Sequence, residues 1–252
     1  MADQGKTGGV GCLIMIGLLL ALIVGVAFQI YWTVLHPAAV VSYRYRLTVD
    51  VEVDGQIHSG SSVIGVQFAF NQPRLPPSWG VYNEHLSGQA VLIGLGARGV
   101  LVAALAGPAS ASGQRYDRCT VDAGYLVGRA YGSVATCDVG YTVTLENERA
   151  ISRMQGPIEL RPGNLPAFIW FADDTNLTTT KIVKPAEFSS VIGDSARLVS
   201  AKVEITQDPV VIDIDKKFSA FAVLTAPPNN GAYTIPGGLT LGTGEFINYQ
   251  KY

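Results

Sequence analysis

The apolar residues near the start of the chain form one continuous run. Across residues 10–35 the only interruptions are three glycines, Gln29 and Thr33, and the run contains no acidic or basic residue. It is longer than the roughly 20 residues that cross a bilayer as a helix. Because a segment in lipid must satisfy its backbone hydrogen bonds internally, we expect one transmembrane helix over 10–35, after a short tail of residues 1–9.

After this run the pattern changes to a strict alternation of apolar and polar side chains. From Tyr43 to Asp54 every second residue is apolar, which is the period of a strand with one buried face. Asp54 and Gly55 form a favoured pair for the two-residue turn of a β-hairpin, and residues 56–70 return to alternation toward their end. The sequence predicts a long antiparallel hairpin soon after the membrane helix, so we expect the domain to lie against the bilayer surface.

Further apolar segments predict a domain built mainly of strands. They share short apolar runs bounded by turn residues, and they cover 90–95, 100–105, 139–145, 167–171, 199–205 and 210–214. The first two are joined across 96–99 as a second predicted hairpin. The expected fold class is mainly β, a β-rich α+β domain. It has antiparallel sheets or a sandwich with one or two short helices, preceded by a single transmembrane helix.

The remaining segments mark helices, loops and the limits of the domain. A short helix is predicted over 185–192, where a proline suits the first turn and a glycine follows the end. Residues 122–132 fit a helix or a strand, and the proline-rich 71–88 is predicted to be a loop. We expect the β-rich domain to cover 40–226 and the Gly/Pro-rich 227–252 to be an irregular tail.

The chain is nearly neutral and carries few charges. It has 252 residues, a formal net charge of -2 and 15% charged residues. A disordered protein would be more polar, and a protein that binds nucleic acid through its phosphates would be strongly basic. We therefore predict a folded domain with no nucleic-acid partner.

The charges that flank the predicted helix do not fix its orientation. Lys6 and the amino terminus lie on one side, and Arg44 and Arg46 on the other. The apolar run is too long for a cleaved signal peptide, and its layout is that of a signal anchor with a long C-terminal domain outside the cytoplasm. An oxidising compartment allows Cys119 and Cys137 to form a disulfide. Two ordinary buried thiols remain the alternative for this pair.

Three small residues of the predicted span repeat every four positions. Gly17, Ala21 and Gly25 therefore fall on one helix face, where small side chains let two backbones approach closely. This face is a candidate packing surface for a homodimer or for a partner in a membrane complex. Glycine and alanine are also common in transmembrane helices that do not pair, so the sequence leaves both interpretations open.

One motif invites an enzyme hypothesis. Residues 94–99 match the Gly-x-Gly-x-x-Gly pattern of dinucleotide sites, but such a site also needs a following helix and a second strand, and the small, polar 108–114 does not suit that strand. A turn is the preferred interpretation. A triad of Ser61 or Ser62 with His85 has no specific sequence support. We predict no catalytic, cofactor-binding or metal-binding residue and no cofactor.

Aromatic residues near the prolines of the predicted loop are the best candidates for an exposed contact surface. Trp79 and Tyr82 lie there, and large aromatic side chains are enriched at protein interfaces. The alternative is that both side chains close the core of the domain.

Three stretches of the chain carry a resemblance to known sequences. They are YRYRLTV at 43–49 with GSSVI at 60–64, LPAFIWFAD at 165–173 and VEITQDPV at 203–210. Together they resemble a family of uncharacterised proteobacterial proteins with a single N-terminal transmembrane span. The resemblance implies a bacterial inner membrane with the large domain in the periplasm, and it carries over no catalytic or binding residue.

The sequence favours a membrane-anchored protein with no chemistry of its own, while the enzyme question stays open. The leading hypothesis is a single-pass inner-membrane protein whose β-rich periplasmic domain acts in binding or scaffolding. One alternative is an accessory subunit of an inner-membrane complex, docked through the Gly17, Ala21 and Gly25 face. The other is a membrane-tethered hydrolase whose nucleophile and base, with His58 or His85, come from distant strands.

Overall fold

The structure is a computed structural model that describes residues 8–35, 39–71, 81–110, 120–132, 141–226, 232–235 and 238–249. Its first element is helix α1, Gly8–Leu35, which has 28 residues. The stretch Ile14–Trp32 within it has a mean hydropathy of 2.5 and no buried residue. As predicted, one N-terminal helix is long and apolar enough to cross a membrane.

The chain divides into two compact units. The first comprises Met1–Val40 and Ala69–Asn83, and the second comprises Val41–Phe68 and Glu84–Tyr252. In the first unit, the rings of Phe70 and Tyr82 lie 6.1 Å apart between centroids. The second unit contains the folded domain with all of the cavities and polar clusters considered below.

The described part of the chain is built mainly from strands. In chain order they are β1 Ala39–Val53, β2 Gln56–Phe70, β3 Tyr82–Gln89, β4 Val91–Gly94, β5 Val100–Ala103, β6 Ala109–Ser110, β7 Ile158–Glu159, β8 Phe168–Phe171, β9 Thr180–Val183, β10 Arg197–Thr206, β11 Ala232–Thr234, β12 Leu239–Gly242 and β13 Ile247–Tyr249. The helices after α1 are α2 Ala123–Tyr131, α3 Leu145–Ile151, α4 Phe188–Val191, α5 Ile214–Lys217 and α6 Ser219–Thr225.

The strands form three sheets. Their orders are β13-β3-β2-β1-β10-β7, β4-β5-β8-β9 and β11-β12-β6. Pairs such as β1 with β10, β4 with β5 and β8 with β9 are antiparallel. The predicted class is confirmed: a β-rich domain of antiparallel sheets with short helices follows one apolar helix. The described part has five short helices, more than the one or two expected.

The longest strands are those predicted from the alternating pattern. Tyr45, Leu47 and Val49 of β1 are at most 1% exposed, and the polar residues between them are half-buried. Asp54 and Gly55 have φ angles of 51° and 77°, the left-handed values that a type I′ turn requires. The hairpin prediction is therefore confirmed at its turn and along its buried face.

The Gly-x-Gly-x-x-Gly segment is the turn of a hairpin, as predicted. Strands β4 and β5 flank it as an antiparallel pair, and Gly96–Arg98 forms a single 3-10 turn. Gly99 has a φ of 85°, and a Cβ atom there would lie 2.8 Å from the Ala172 carbonyl oxygen. Backbone conformation and close packing explain this glycine.

The core contains a cluster of three aromatic rings drawn from distant parts of the chain. The centroids of Phe171 and Phe218 lie 4.9 Å apart, those of Phe218 and Phe246 lie 5.9 Å apart, and those of Phe171 and Phe246 lie 6.2 Å apart. All three side chains are at most 2% exposed. Aromatic pairs at this spacing each add about 0.5–1.5 kcal/mol beyond the area they bury. Residues near the C-terminus are thus part of the core.

The strand predicted over 139–145 is wrong for its described residues. Residues 141–144 are irregular, and α3 begins directly after them. The Thr144 hydroxyl accepts a hydrogen bond from the Asn147 backbone N–H at 3.1 Å, and the exposed Glu146 lies in the first helical turn. Both features stabilise a helix N-terminus, and together they outweigh a short apolar alternation.

The strand predicted over 210–214 is also wrong. Residues 207–213 have no regular structure, and α5 follows them. The Gln89 side-chain oxygen accepts hydrogen bonds from the backbone N–H groups of Asp213 at 2.7 Å and Ile214 at 2.8 Å. These donors are therefore satisfied by a side chain instead of a neighbouring strand.

Two segments predicted to be irregular contain strands. All but the last residue of β3 lies in the predicted loop 71–88, and 72–80 fall outside the described residues. β11, β12 and β13 lie within the predicted tail 227–252, and β13 pairs with β3. Glycine and proline mark turns between short strands as well as irregular chain, so composition alone did not separate the two. The segment 122–132, left open between helix and strand, contains α2.

Candidate functional site

An apolar cavity lies at the ends of β8 and β9, and we call it the Phe168 cavity. Its volume is about 420 Å³, within the range of about 300–1,000 Å³ that is typical of small-molecule sites. Its walls come from Thr120, the 162–168 segment, the end of β9 with the turn after it, and β10. The lining residues are Thr120, Pro162, Leu165, Pro166, Ala167, Phe168, Ile182, Val183, Lys184, Pro185, Ala186 and Leu198.

Strand pairing and ring packing fix the floor of the Phe168 cavity. Phe168 of β8 is directly opposite Val183 of β9 in the antiparallel register, and both are at most 2% exposed. The Phe168 ring also meets Phe188 edge to face, with centroids 5.5 Å apart. Because these side chains are buried and packed on several sides, the floor is rigid.

Hydrogen bonds hold the turns that form the rim. The Arg129 guanidinium donates from Nε to Oδ1 of Asn164 at 2.9 Å, which holds the 3-10 turn Pro162–Asn164. On the other side, the Glu187 carboxylate accepts the Lys184 backbone N–H at 3.0 Å at the start of the turn Pro185–Glu187. Proline begins both turns, and its fixed φ limits their movement.

The lining chemistry of the Phe168 cavity suits an apolar ligand. Ten of the twelve described lining residues have apolar side chains, and Thr120 and Lys184 supply the polar groups. Cavities that bind small molecules share this composition, in which apolar walls provide affinity and a few polar groups set the orientation. The Phe168 cavity is therefore the candidate binding site.

A second feature of the domain is a buried carboxyl held by two tyrosines, which we call the Glu148 cluster. Glu148 of α3 is 0% exposed. The Tyr43 hydroxyl donates to its Oε2 at 3.0 Å, and the Tyr141 hydroxyl donates to its Oε1 at 2.8 Å. Both carboxyl oxygens thus have partners, as buried polar atoms require. The cluster ties α3 to β1.

The surroundings of the Glu148 cluster favour the uncharged forms of Glu148 and Tyr43. Burial raises the pKa of Glu148, the hydrogen bonds from Tyr141 and Tyr43 oppose this shift, and the Glu84 carboxyl adds to it. Burial, and then the Glu148 carboxyl, raise the pKa of the Tyr43 hydroxyl. Tyr43 also lines a cavity of about 460 Å³, and Tyr141 lines another of about 370 Å³.

Two glycines of α2 let the side chains of Tyr141 and Glu84 approach the backbone of this helix. Gly124 and Gly128 lie four positions apart in α2. A Cβ atom at Gly128 would lie 2.6 Å from Cζ of Tyr141, and one at Gly124 would lie 2.5 Å from Cδ of Glu84. Any larger residue would displace these neighbours, so both glycines are needed for α2 to pack against Tyr141 and Glu84.

The predicted helix-packing face remains a prediction. Gly17, Ala21 and Gly25 all have exposed side-chain positions on α1. Apart from the adjacent residues and the backbone of α1 itself, no described atom lies within 4 Å of a Cβ placed at Gly17 or Gly25. The face is thus open for packing within the described chain, but neither a homodimer nor another partner is tested.

The other predicted site residues are only partly described. Tyr82 lies in β3 and is half-buried, whereas Trp79 lies outside the described residues. Cys119 and Cys137 also lie outside the described residues, so their pairing stays a prediction.

The residues considered for nucleophilic catalysis lie on the hairpin and on β3. Ser61 is exposed in β2, and His85 is half-buried in β3. Ser62 is 7% exposed, and its hydroxyl has no hydrogen-bond partner among the described residues. Ser62 is therefore not bonded to His85. Within the same residues, no three His, Cys, Asp or Glu side chains are grouped to hold a metal ion.

Sequence reasoning missed the cavity residues. The signal was present as Pro162, Pro166 and Pro185 beside short apolar runs, but prolines of this kind indicate turns wherever they occur. Comparison with known proteins adds no assignment: no family model, no curated protein and no solved structure matches the chain.

Proposed function

We propose that this protein is a single-pass membrane protein whose β-rich domain binds an apolar small molecule in the Phe168 cavity. In this proposal α1 anchors the chain in a bacterial inner membrane, and the domain works in the periplasm as a binding module. The observation that carries the proposal is the cavity of about 420 Å³ with its mainly apolar lining.

The free energy gained by burying a hydrocarbon chain in the Phe168 cavity is large enough for specific binding. Each buried CH₂ group contributes about 0.8 kcal/mol, so eight of them contribute roughly 6 kcal/mol before the cost of association. The floor is already ordered by the pairing of Phe168 with Val183 and by the Phe188 ring. A preformed floor lowers the cost of ordering on binding.

The membrane part of the proposal is supported by α1. Its central stretch Ile14–Trp32 has a mean hydropathy of 2.5 with no residue buried, and exposed apolar side chains of this number are favourable in lipid and costly in water. The periplasmic location is supported by the signal-anchor layout and by the resemblance of 43–49, 165–173 and 203–210 to proteobacterial proteins with one span.

Photolabelling tests the binding site. The full chain in nanodiscs of zwitterionic lipid is irradiated with a fatty alcohol that carries a diazirine in its chain, and the labelled peptides are identified by mass spectrometry. We expect label on peptides that contain 162–168 and 182–186. Ala186→Trp fills the exposed rim and is expected to lower that label about tenfold, equivalent to about 1.4 kcal/mol.

A matched variant controls for the added ring. Ala222 of α6 is also exposed and does not line the Phe168 cavity, so Ala222→Trp is expected to keep the label of the wild type. Equal labelling of all three proteins on these peptides, with unchanged thermal unfolding, would contradict the proposed site.

Thiol accessibility in intact cells tests the location. Cys119 and Cys137 are alkylated with a membrane-impermeant reagent, with and without prior reduction. We expect label without permeabilising the inner membrane, and a requirement for reduction if the pair is oxidised. Label that appears only after the inner membrane is permeabilised would place the domain in the cytoplasm.

A further inference from the structure

Helix α3 is attached to the domain by two buried side chains. Of its seven residues, Glu148 and Ile151 are the buried ones, with exposures of 0% and 4%. They lie three positions apart and therefore on the same helix face. The face by which a helix packs on a domain is ordinarily apolar. A carboxyl at one of these two positions makes the attachment of α3 depend on an ionisable group.

Glu148 has no cationic partner among the described residues. The hydroxyls of Tyr43 from β1 and Tyr141 from the segment before α3 donate to its two oxygens, and Glu84 of β3 is the charged side chain that acts on it. No lysine, arginine or histidine of the described ranges is hydrogen-bonded or ion-paired to it. A buried carboxylate without a cation is costly, because its charge loses the stabilisation that water provides.

The titratable groups around Glu84 belong to the same polar layer. They are Tyr125 and Asp122 from α2, His85 from β3 and Tyr45 from β1. A protonated His85 favours the ionised form of Glu84, whereas Asp122 disfavours it. Arg129 of α2 is directed elsewhere, since its Nε donates to Asn164 at 2.9 Å. An ionised Glu84 in turn disfavours a second negative charge at Glu148.

Helix α3 and the residue after it border two cavities. Asn147, Ala150 and Ile151 line the cavity of about 370 Å³. Ser152, which follows α3 directly, lines the cavity of about 460 Å³ together with Tyr43. Neither cavity shares a described lining residue with the Phe168 cavity. Movement of α3 would therefore change the shape of these two cavities and leave the walls of the Phe168 cavity in place.

We infer that the protonation of Glu148 controls the position of α3. The protonated carboxyl keeps the helix packed against the domain. Loss of its proton to water leaves a buried charge with no cation, and Ile151 is then the one buried apolar side chain that holds the helix. The helix detaches, and the two cavities beside it open to solvent.

The burial of Glu148 sets the direction of this pH dependence. Burial raises the pKa of Glu148, the hydrogen bonds from Tyr141 and Tyr43 oppose the rise, and Glu84 adds to it. Packed α3 therefore binds the proton more tightly than detached α3. The stabilisation of the packed state is complete below the ordinary pKa of a glutamate, and it is lost as the pH rises through the raised pKa.

Hydrogen exchange of the full chain in detergent tests the inference. Protection factors, corrected for the intrinsic exchange rate at each pH, are measured by mass spectrometry for peptides that contain 145–151. Between pH 5 and pH 8 we expect protection of α3 to fall about tenfold, in the range expected when a buried polar group loses its favourable pairing. Helix α6 has no titratable residue and three buried ones, so its protection should stay constant in the same samples.

Two variants assign the effect to Glu148. Glu148→Gln cannot ionise and keeps an acceptor oxygen, so protection of α3 should be the same at every pH. Ile151→Ala removes the other buried side chain, and it should lower protection of α3 at every pH while the fall between pH 5 and pH 8 remains. The first variant thus removes the pH dependence, and the second weakens the attachment without removing it.

Three further variants separate Glu148 from other titrating groups. Glu84→Gln should make the fall smaller, because a neutral neighbour raises the pKa of Glu148 less. His85→Gln should keep the fall, since His85 acts on Glu84. Glu159→Gln changes an exposed carboxyl of β7 and should match the wild type.

The outcomes decide the inference whether or not the Phe168 cavity binds a ligand. A fall in α3 protection that persists in Glu148→Gln would overturn it, and so would a fall that disappears in His85→Gln. Equal falls in α3 and α6 of the wild type would show that the whole domain loosens, which also contradicts a local movement of α3. If Glu148→Gln does not fold, an unchanged fall in Glu84→Gln overturns the inference instead.

Discussion

Helices α1 and α2 carry the same pattern of small residues and use it in different surroundings. In α1, apart from the adjacent residues and the helix backbone, no described atom lies within 4 Å of a Cβ placed at Gly17 or Gly25. In α2 a Cβ at Gly128 would lie 2.6 Å from Cζ of Tyr141, and one at Gly124 would be equally crowded by Glu84. Small residues four positions apart therefore predict that something approaches a helix closely, but they do not say what approaches it.

The two helices also differ in what covers their apolar residues. The central stretch of α1 has a mean hydropathy of 2.5 and no residue buried, so a bilayer is the environment that suits it. In α2, Leu126 and Val127 are 0% exposed because the domain itself covers them. Charged residues in α1 should therefore weaken its insertion in the membrane. A larger side chain on the packed face of α2 should instead lower the stability of the domain.

Charges placed in α1 should have the largest effect. Replacing Leu19 and Leu20 together by Arg costs about 3 kcal/mol per residue at the centre of a span, or about 6 kcal/mol in all. We expect the double variant to leave the membrane fraction, as measured by fractionation and immunoblotting. Replacing both residues by Val is the control and should keep the protein in the membrane. An anchored double-arginine variant would show that α1 is not the anchor.

A methyl group placed on α2 should have an intermediate effect. Gly128→Ala forces Cβ against the Tyr141 ring, and overpacking of this kind costs about 1–3 kcal/mol. Urea unfolding of the full chain in detergent measures the loss. Gly17→Ala, whose Cβ meets no described atom within 4 Å beyond its neighbours and the helix backbone, should change the free energy of unfolding of the domain by less than about 0.5 kcal/mol. Equal stabilities of the two variants would refute the difference between the helices.

Removal of the Glu148 charge should have the smallest effect, and it should depend on pH. Burial raises the pKa of Glu148, so the folded state favours the protonated carboxyl. The resulting stability is complete below the ordinary pKa of a glutamate and is lost as the pH rises through the raised pKa. Glu148→Gln cannot ionise and keeps an acceptor oxygen, so we expect its stability relative to the wild type to increase from acidic to neutral pH.

Thermal unfolding of both proteins across this pH range tests the Glu148 prediction. Glu159→Gln is the control, because Glu159 lies in β7, away from a helix N-terminus, and is exposed. Its stability should follow the wild type at every pH. Parallel pH profiles for Glu148→Gln and the wild type would show that the buried carboxyl does not titrate in the expected direction.

The parts of the fold that the sequence predicted depend on local signals. The apolar run of 10–35, the alternation from Tyr43 to Asp54 and the turn at Asp54 and Gly55 each act over a few neighbouring residues, and the structure contains all three features. The corresponding physical causes are helix length in lipid, the period of a strand and the left-handed turn.

The parts that were missed depend on contacts between distant residues. Asp213 and Ile214 are held by Gln89, more than 120 positions earlier, and no pattern around 210–214 reveals that partner. The Phe168 cavity is a space left between β8, β9 and β10, so it has no residue pattern of its own. Nothing in the sequence separates Glu148 from the other seven glutamates, because only the fold brings Tyr43 to it.

The binding site itself is tested most directly by the molecule that the protein carries. Wild-type full chain and Ala186→Trp are purified in parallel in the same detergent, extracted with organic solvent and analysed by mass spectrometry for bound amphiphiles. The account predicts an apolar small molecule near one molecule per wild-type chain, and much less of it in Ala186→Trp, with equal amounts of two-chain lipid in both. The same amount of that molecule in both proteins, or none in the wild type, would contradict it.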